Sequence, residues 1–227
     1  GEEGFLATMA YDQLWTTELR VLGTDVDIKP ARKWENAPKA AKLMETSLQL
    51  EYRRPMKELR AKTWYALLVD SYNKGFDRVI VSETRDCARP LADLKLGQWS
   101  ETATAEFTLV SGEKEKAAFR MKLLDLSSDG QTLTLYRTML CAVEGFYFPP
   151  ELAEEIPLKG LPMPYPGHLA YRMNWFDVDT LYEMTAMHEE YLAETSHYLL
   201  THKDWNIYYI HIHTPDWNHH VYLDLFD

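Results

Sequence analysis

Apolar residues recur along this chain with two different periods. In "YDQLWTTELRVLG", Leu14, Trp15, Leu19 and Leu22 fall near the helical period and Gly23 follows as a stop, so a short helix is expected. "TDVDIKPARKWENAP" then reads as loop. Asn36 is a candidate cap with Pro38 in the first turn. Leu43, Met44, Leu48 and Leu50 lead from there to Pro55, and Met56, Leu59, Trp64, Leu67 and Leu68 carry on to Gly75. The pattern predicts one long helix, broken or kinked at Pro55. "FDRVIVSE" follows as a short strand buried on both faces. Helix, glycine turn and buried strand make an α/β step.

The texture changes after residue 95. "ETATAEFTLV" alternates, with Ala103, Ala105, Phe107 and Leu109 on one face and Thr102, Thr104, Glu106 and Thr108 on the other. "AAFRMKLLDL" alternates through Phe119, Met121 and Leu123, and "QTLTLYRTML" through Leu133, Leu135 and Tyr136 or Arg137. Between them "SSDG" is a turn signal, its Asp129-Gly130 suited to a type I′ hairpin. A three-stranded antiparallel meander with one polar face is expected.

"EGFYFPPELAEEIPLKGLPMPYPGH" is proline-rich connector, with a short helix at Pro150 to Glu155. A second long helix follows. Asp177 or Asp179 is its candidate cap, and Thr180 with Glu183 has capping-box spacing. Leu181, Met184, Met187, Tyr191, Leu192 and Leu199 form its apolar stripe, and it ends near His202. The run Ile207 to Ile212 then reads as a strand that breaks at Pro215, a second helix-to-strand step.

The expected fold class is therefore α/β, with partial α/β core elements and an antiparallel β-rich accessory subdomain. Four segments are expected: a helical and α/β segment over 1–94, the β meander over 95–145, the connector over 146–176, and a helix–strand return to the core over 177–227.

Composition narrows the function classes. The 227 residues are 46% hydrophobic and 13% aromatic, enough for a real core. A net charge of −11 argues against binding a nucleic-acid polymer. A small phosphorylated substrate remains compatible, because bound cations supply positive charge that a formal count omits. Cys87 and Cys141 are the two cysteines, without a Cys-x-x-Cys, which fits free thiols in a reducing compartment and a cytoplasmic location. No membrane span and no signal segment are expected. Because the first residue is Gly1, the chain is expected to be a piece of a longer protein.

The densest candidate chemistry is "HIHTPDWNHH", residues 211–220. Asp216 and His220 stand four apart. On a helix starting at Pro215 they share one face and can ligate one cation, zinc or manganese suiting the carboxylate–imidazole pair better than calcium. Against this, Asp216 can simply cap the helix. His211 and His213 can be the polar face of a strand, and a catalytic zinc needs three protein ligands. His219 points away from the pair. Elsewhere, Arg85, Asp86 and Arg89 follow the Val79–Val81 strand as an anion clamp or as a solvated loop. Cys87 reads better as a buried thiol than as a nucleophile. Trp64, Tyr65, Trp99 and Trp175 form either a ligand platform or core. His188, His197 and His202 fall off any one stripe and read as surface residues.

"HTPDWNHH" resembles the Pro-Asp-x-x-x-His element of the alkaline phosphatase superfamily, in particular its type I phosphodiesterase and nucleotide pyrophosphatase family. "LKLGQWSE", "FRMKLLDLSSDGQTLTLYRTM" and "FYFPPELAEE" are similar in order to an accessory insert of large bacterial members. "LYEMTAMHEEYLAETSHYLLTHKDW" is similar to the helix before the metal strand. The likeness covers most of residues 60–223. It implies that Asp216 and His220 bind one of two catalytic divalent metals, zinc or manganese, in an enzyme that cleaves small phosphoester substrates. The family's Thr or Ser nucleophile, its other Asp-His pair and its distal His have no convincing match here. The resemblance therefore implies a fragment of such a hydrolase, inactive alone, with catalytic and substrate-binding residues outside these 227. The alternative is a non-catalytic binding or interaction module in which the histidines are incidental.

Overall fold

The computed structural model describes residues 6–7, 19–22, 26–50, 59–143, 147–156 and 168–223. The strands are β1 (Leu6–Ala7), β2 (Leu19–Leu22), β3 (Lys29–Pro30), β4 (Lys42–Leu50), β5 (Lys62–Asp70), β6 (Arg78–Ser82), β7 (Ala92–Leu94), β8 (Ala103–Thr108), β9 (Lys114–Phe119), β10 (Met121–Leu126), β11 (Leu133–Arg137), β12 (Cys141–Ala142) and β13 (Tyr147–Phe148). The helices are α1 (Leu152–Glu155), α2 (His168–Arg172), α3 (Val178–His202) and α4 (Thr214–Tyr222). The chain divides into two compact units, one spanning Leu14–Ala142 and the other combining Gly1–Gln13 with Val143–Asp227.

Every ladder between these strands is antiparallel. This overturns the expected α/β class: the fold is β-rich, and no helix alternates with parallel strands among the described residues. In the Leu14–Ala142 unit, five strands lie in the order β3-β4-β5-β6-β7, with three-stranded sheets β12-β9-β8 and β10-β11-β2 beside them.

The expected long helix through residues 36–75 is instead the β4–β5 pair, in register from Lys42 opposite Asp70 to Leu50 opposite Lys62. Thr46, Leu48 and Leu50 are buried while Ser47 and Gln49 are exposed, a period of two that the helical reading overran. β5 is covered on both faces, so its apolar residues are contiguous and carry no period to tell strand from helix. On one face Trp64 stacks on Phe119 with centroids 4.9 Å apart, and Phe107 lies 6.1 Å from it. On the other, Leu67, Val69 and Ile80 are roofed by Ala31, Trp34, Ala37, Ala40 and Leu43. Full burial of rings such as Trp64 and Phe119 stabilises by roughly 2–3 kcal/mol each. The short helix expected before Gly23 is replaced, over Leu19–Leu22, by β2 paired with β11; residues 11–18 lie outside the described residues, as does Pro55.

The strand predicted at "FDRVIVSE" is present as β6. The alternating segments after residue 95 form antiparallel strands with Ala105, Phe107, Met121, Leu123 and Leu135 buried, but not the expected three-stranded meander with one polar face: β8 and β9 lie in one sheet, β10 and β11 in another, and every residue of β11 is buried. "AAFRMKLLDL" is nonetheless two strands. At Arg120 the chain leaves one sheet for another, held by Arg120 N–H to the Thr138 hydroxyl and Thr138 N–H to the Arg120 carbonyl, both 3.0 Å. The following turn closes with Gly130 N–H to Ser127 O at 3.0 Å. Only Gly130 there has a positive φ, 75°, so the turn is not type I′, which needs two such residues.

In the second unit, β1 pairs with β13. Leu152, Ile156 and Leu199 form a small core with Tyr147, Tyr198 and Tyr208 against it. α3 begins where the sequence indicates: Asp177 caps it, accepting Thr180 N–H at 2.9 Å. Thr180, Leu181, Met184, His188, Tyr191, Thr195 and Leu199 are its buried residues. The strand expected at Ile207–Ile212 does not form. Residues 204–213 carry neither helix nor ladder, and Ile207 and Tyr209 are exposed. A strand needs a neighbour for its backbone groups, and among the described residues none is paired with this run. No described helix is long and apolar enough to cross a membrane.

Candidate functional site

α4 is built as its sequence suggests. Pro215 sits in the first turn, where its missing N–H costs nothing, and Asp216 places a carboxylate at the positive end of the helix dipole. Asp216 is inside the first turn, not at the cap, which is His213. Its side chain is 61% exposed, with the His213 Nδ1 3.9 Å from its Oδ2. The His211 and His213 rings lie 4.1 Å apart. Residue 220 follows Asp216 by one helical turn, which puts both positions on one face of the helix backbone. The His220 side chain, the other half of the expected ligand pair, lies outside the described residues.

α4 is tied to α3 beside these groups. The Thr214 hydroxyl donates to the Glu189 carboxylate. The preceding residue, His188, is 3% exposed, which corrects its reading as a surface residue. Burial, with a smaller contribution from His213, pushes the His188 imidazole down to about 4, so it is neutral at neutral pH. His197 and His202 are exposed, as expected. The signal for His188 was available: it lies four residues after Met184, on the stripe that Leu181 and Met184 begin.

The donor set around Asp216, a carboxylate beside an imidazole, is of the kind that suits a borderline divalent cation. It is not a closed site. Among the described residues no three His, Cys, Asp or Glu side chains gather closely enough to hold a metal.

The other candidates are occupied by structure. Arg85 is not poised for a ligand anion: its Nε and Nη2 donate to the Glu45 carboxylate at 3.1 and 3.2 Å, and its guanidinium lies 4.3 Å over the Tyr65 ring. Glu45 also accepts Trp34 Nε1–H at 2.6 Å and Arg32 N–H at 3.2 Å. Burial raises the Glu45 pKa, but these donors and the Arg85 charge outweigh it and hold the carboxyl below its usual value. Asp86 accepts Asn36 Nδ2–H and Ala88 N–H, and Arg89 is exposed. Burial raises the thiol pKa of half-buried Cys87, and pushes that of buried Cys141 up to about 12, so neither is a ready thiolate. Trp64 is core, and Trp99 meets Tyr136 edge-on with Lys122 over its ring. Neither belongs to an open platform.

No protein-family model, curated protein or solved structure matches this chain.

Proposed function

We propose that this chain contributes a metal-binding helix to a divalent-metal-dependent phosphoester hydrolase of the phosphodiesterase and nucleotide pyrophosphatase kind. The observation that carries the reading is Asp216 in the first turn of α4, exposed, with position 220 one turn further on the same backbone face. Asp216 and His220 are the ligands in this reading, and zinc or manganese the metal. The bound cation would stabilise negative charge on phosphoryl oxygens of a small phosphoester. Asp216 supplies the anionic donor. His213 stands beside it, able to polarise or orient the carboxylate. The Thr214–Glu189 hydrogen bond holds the start of α4 to α3, which keeps the first turn in place.

Two ligands and no recognised nucleophile do not make a catalytic centre. The chain alone, given zinc or manganese, is expected not to hydrolyse bis-p-nitrophenyl phosphate. Metal-dependent turnover abolished by Asp216→Ala would overturn the partial-site reading and require a complete site within the chain.

A second reading, a non-catalytic binding module, draws on the Leu14–Ala142 unit. There the buried carboxylate of Glu45 and the guanidinium of Arg85 serve each other and the loop at Trp34, as a scaffold's polar groups do. Absence of any effect of Asp216→Ala and His220→Ala on metal binding would favour it.

A further inference from the structure

The segment between α3 and α4 is the most apolar exposed stretch described. From Trp205 to Ile212 it carries no Asp, Glu, Lys or Arg, in a chain of net charge −11. Of its residues only Tyr208 is half-buried; the rest are exposed. Tyr208 turns inward, packing on the Leu152–Ile156–Leu199 cluster and donating its hydroxyl to Ser196 Oγ at 2.7 Å. Ile207 and Tyr209 are 89% and 83% exposed, and Trp205, Ile210 and Ile212 are about half exposed. The segment is β-prone in composition and free of Pro and Gly, and in the structure it carries no ladder.

This is the composition of a self-pairing strand: six residues, "IYYIHI", of high β-propensity and low charge. Taking an aromatic side chain as roughly 150–250 Å², the strip exposes on the order of 500 Å² of apolar side chain. That lies near the top of the ~300–600 Å² found for the largest patch on a monomer. It is also most of the ~800 Å² that each partner gives to a standard interface.

We propose that this strip is a self-association surface, on which a second copy of the chain pairs antiparallel about Tyr209. A two-fold axis through the pair sets Tyr209 opposite its own equivalent and Ile207 opposite His211 of the other copy. Directly opposed residues share a face, so Ile207 and Tyr209 are covered by their cross-strand neighbours while Tyr208 stays on its own α3. The inference does not depend on the metal reading, since neither Asp216 nor His220 enters it.

Sedimentation velocity across a micromolar concentration series tests it. A monomer–dimer equilibrium is expected. Ile207→Lys and Tyr209→Lys should each weaken it about tenfold or more with unchanged far-UV circular dichroism, because both side chains are exposed in the monomer. Tyr209→Cys, in a Cys87→Ser background, should form a disulfide-linked dimer on oxidation, because opposed Cβ atoms are about 4.5–5.5 Å apart. Ile210→Cys, offset from its equivalent by two residues, should not. A monomer at every concentration would overturn the proposal. So would a dimer indifferent to both lysine variants, cross-linking at residue 210 instead of 209, or assembly that grows without limit.

Discussion

Arg85 clasps Glu45 through two parallel hydrogen bonds, Nε to Oε2 at 3.1 Å and Nη2 to Oε1 at 3.2 Å, across forty residues of sequence. With the Trp34 indole and the Arg32 N–H on the same carboxylate, this pair ties the loop over the five-stranded sheet to the sheet itself.

Glu45→Ala should therefore destabilise the Leu14–Ala142 unit by about 3 kcal/mol, because four N–H donors from three residues lose a buried acceptor. Arg85→Lys keeps the charge but loses the fork and the stacking on Tyr65, and should cost about 1–2 kcal/mol. Urea titrations of both variants measure this. The Glu45 carboxyl is held below its unfolded value, so its contribution is present above the unfolded pKa and lost as pH falls through the folded one. Glu45→Gln should flatten the acid limb of the stability curve below about pH 4.5.

His188 predicts a second pH dependence with a different window. Its pKa is about 4 in the folded chain against 6.5 in the reference state. In the window between, the unfolded chain takes a proton and the folded chain does not. The contribution is full above pH 6.5 and declines as pH falls towards 4. From neutral pH to pH 5 the loss should be about 2 kcal/mol. Hydrogen exchange of α3 amides reads it locally, and His188→Leu should remove most of the slope.

Asp177→Ala should cost about 1 kcal/mol by leaving the Thr180 N–H without its cap. Exchange should quicken in the first turn of α3 before the rest of the helix. Asp177→Asn should restore most of the protection.

How far the sequence discloses this fold depends on solvation. The strands around Ala105 and Leu135 and the helix from Asp177 were legible because alternation or a cap marks them. β4 and β5 were not. Covering β5 on both sides makes "WYALLV" a run without period, and the Leu43, Met44 and Leu48 spacing fits a helix equally well. Residues 207–212 show the converse error. They have the composition of a buried strand, but composition cannot supply the neighbouring strand that burial requires. At the candidate site, the sequence offered a helix after Pro215 only as a condition for Asp216 and His220 to share a face; α4 over Thr214–Tyr222 meets that condition for the backbone. The burial of His188 and its closeness to the start of α4 depend on how α3 packs, which helical spacing alone only hints at. Arg85 could not be separated from a ligand clamp until its partner forty residues earlier was known.

The most direct measurement of the metal reading is a calorimetric titration of zinc into the chain, into Asp216→Ala and into His220→Ala. Two ligands on one helical face predict a single weak site, worth about 4–6 kcal/mol and so a dissociation constant from tens of micromolar to about millimolar, and its loss in both variants. A tight site that survives both substitutions would contradict the assignment of Asp216 and His220 as the ligands.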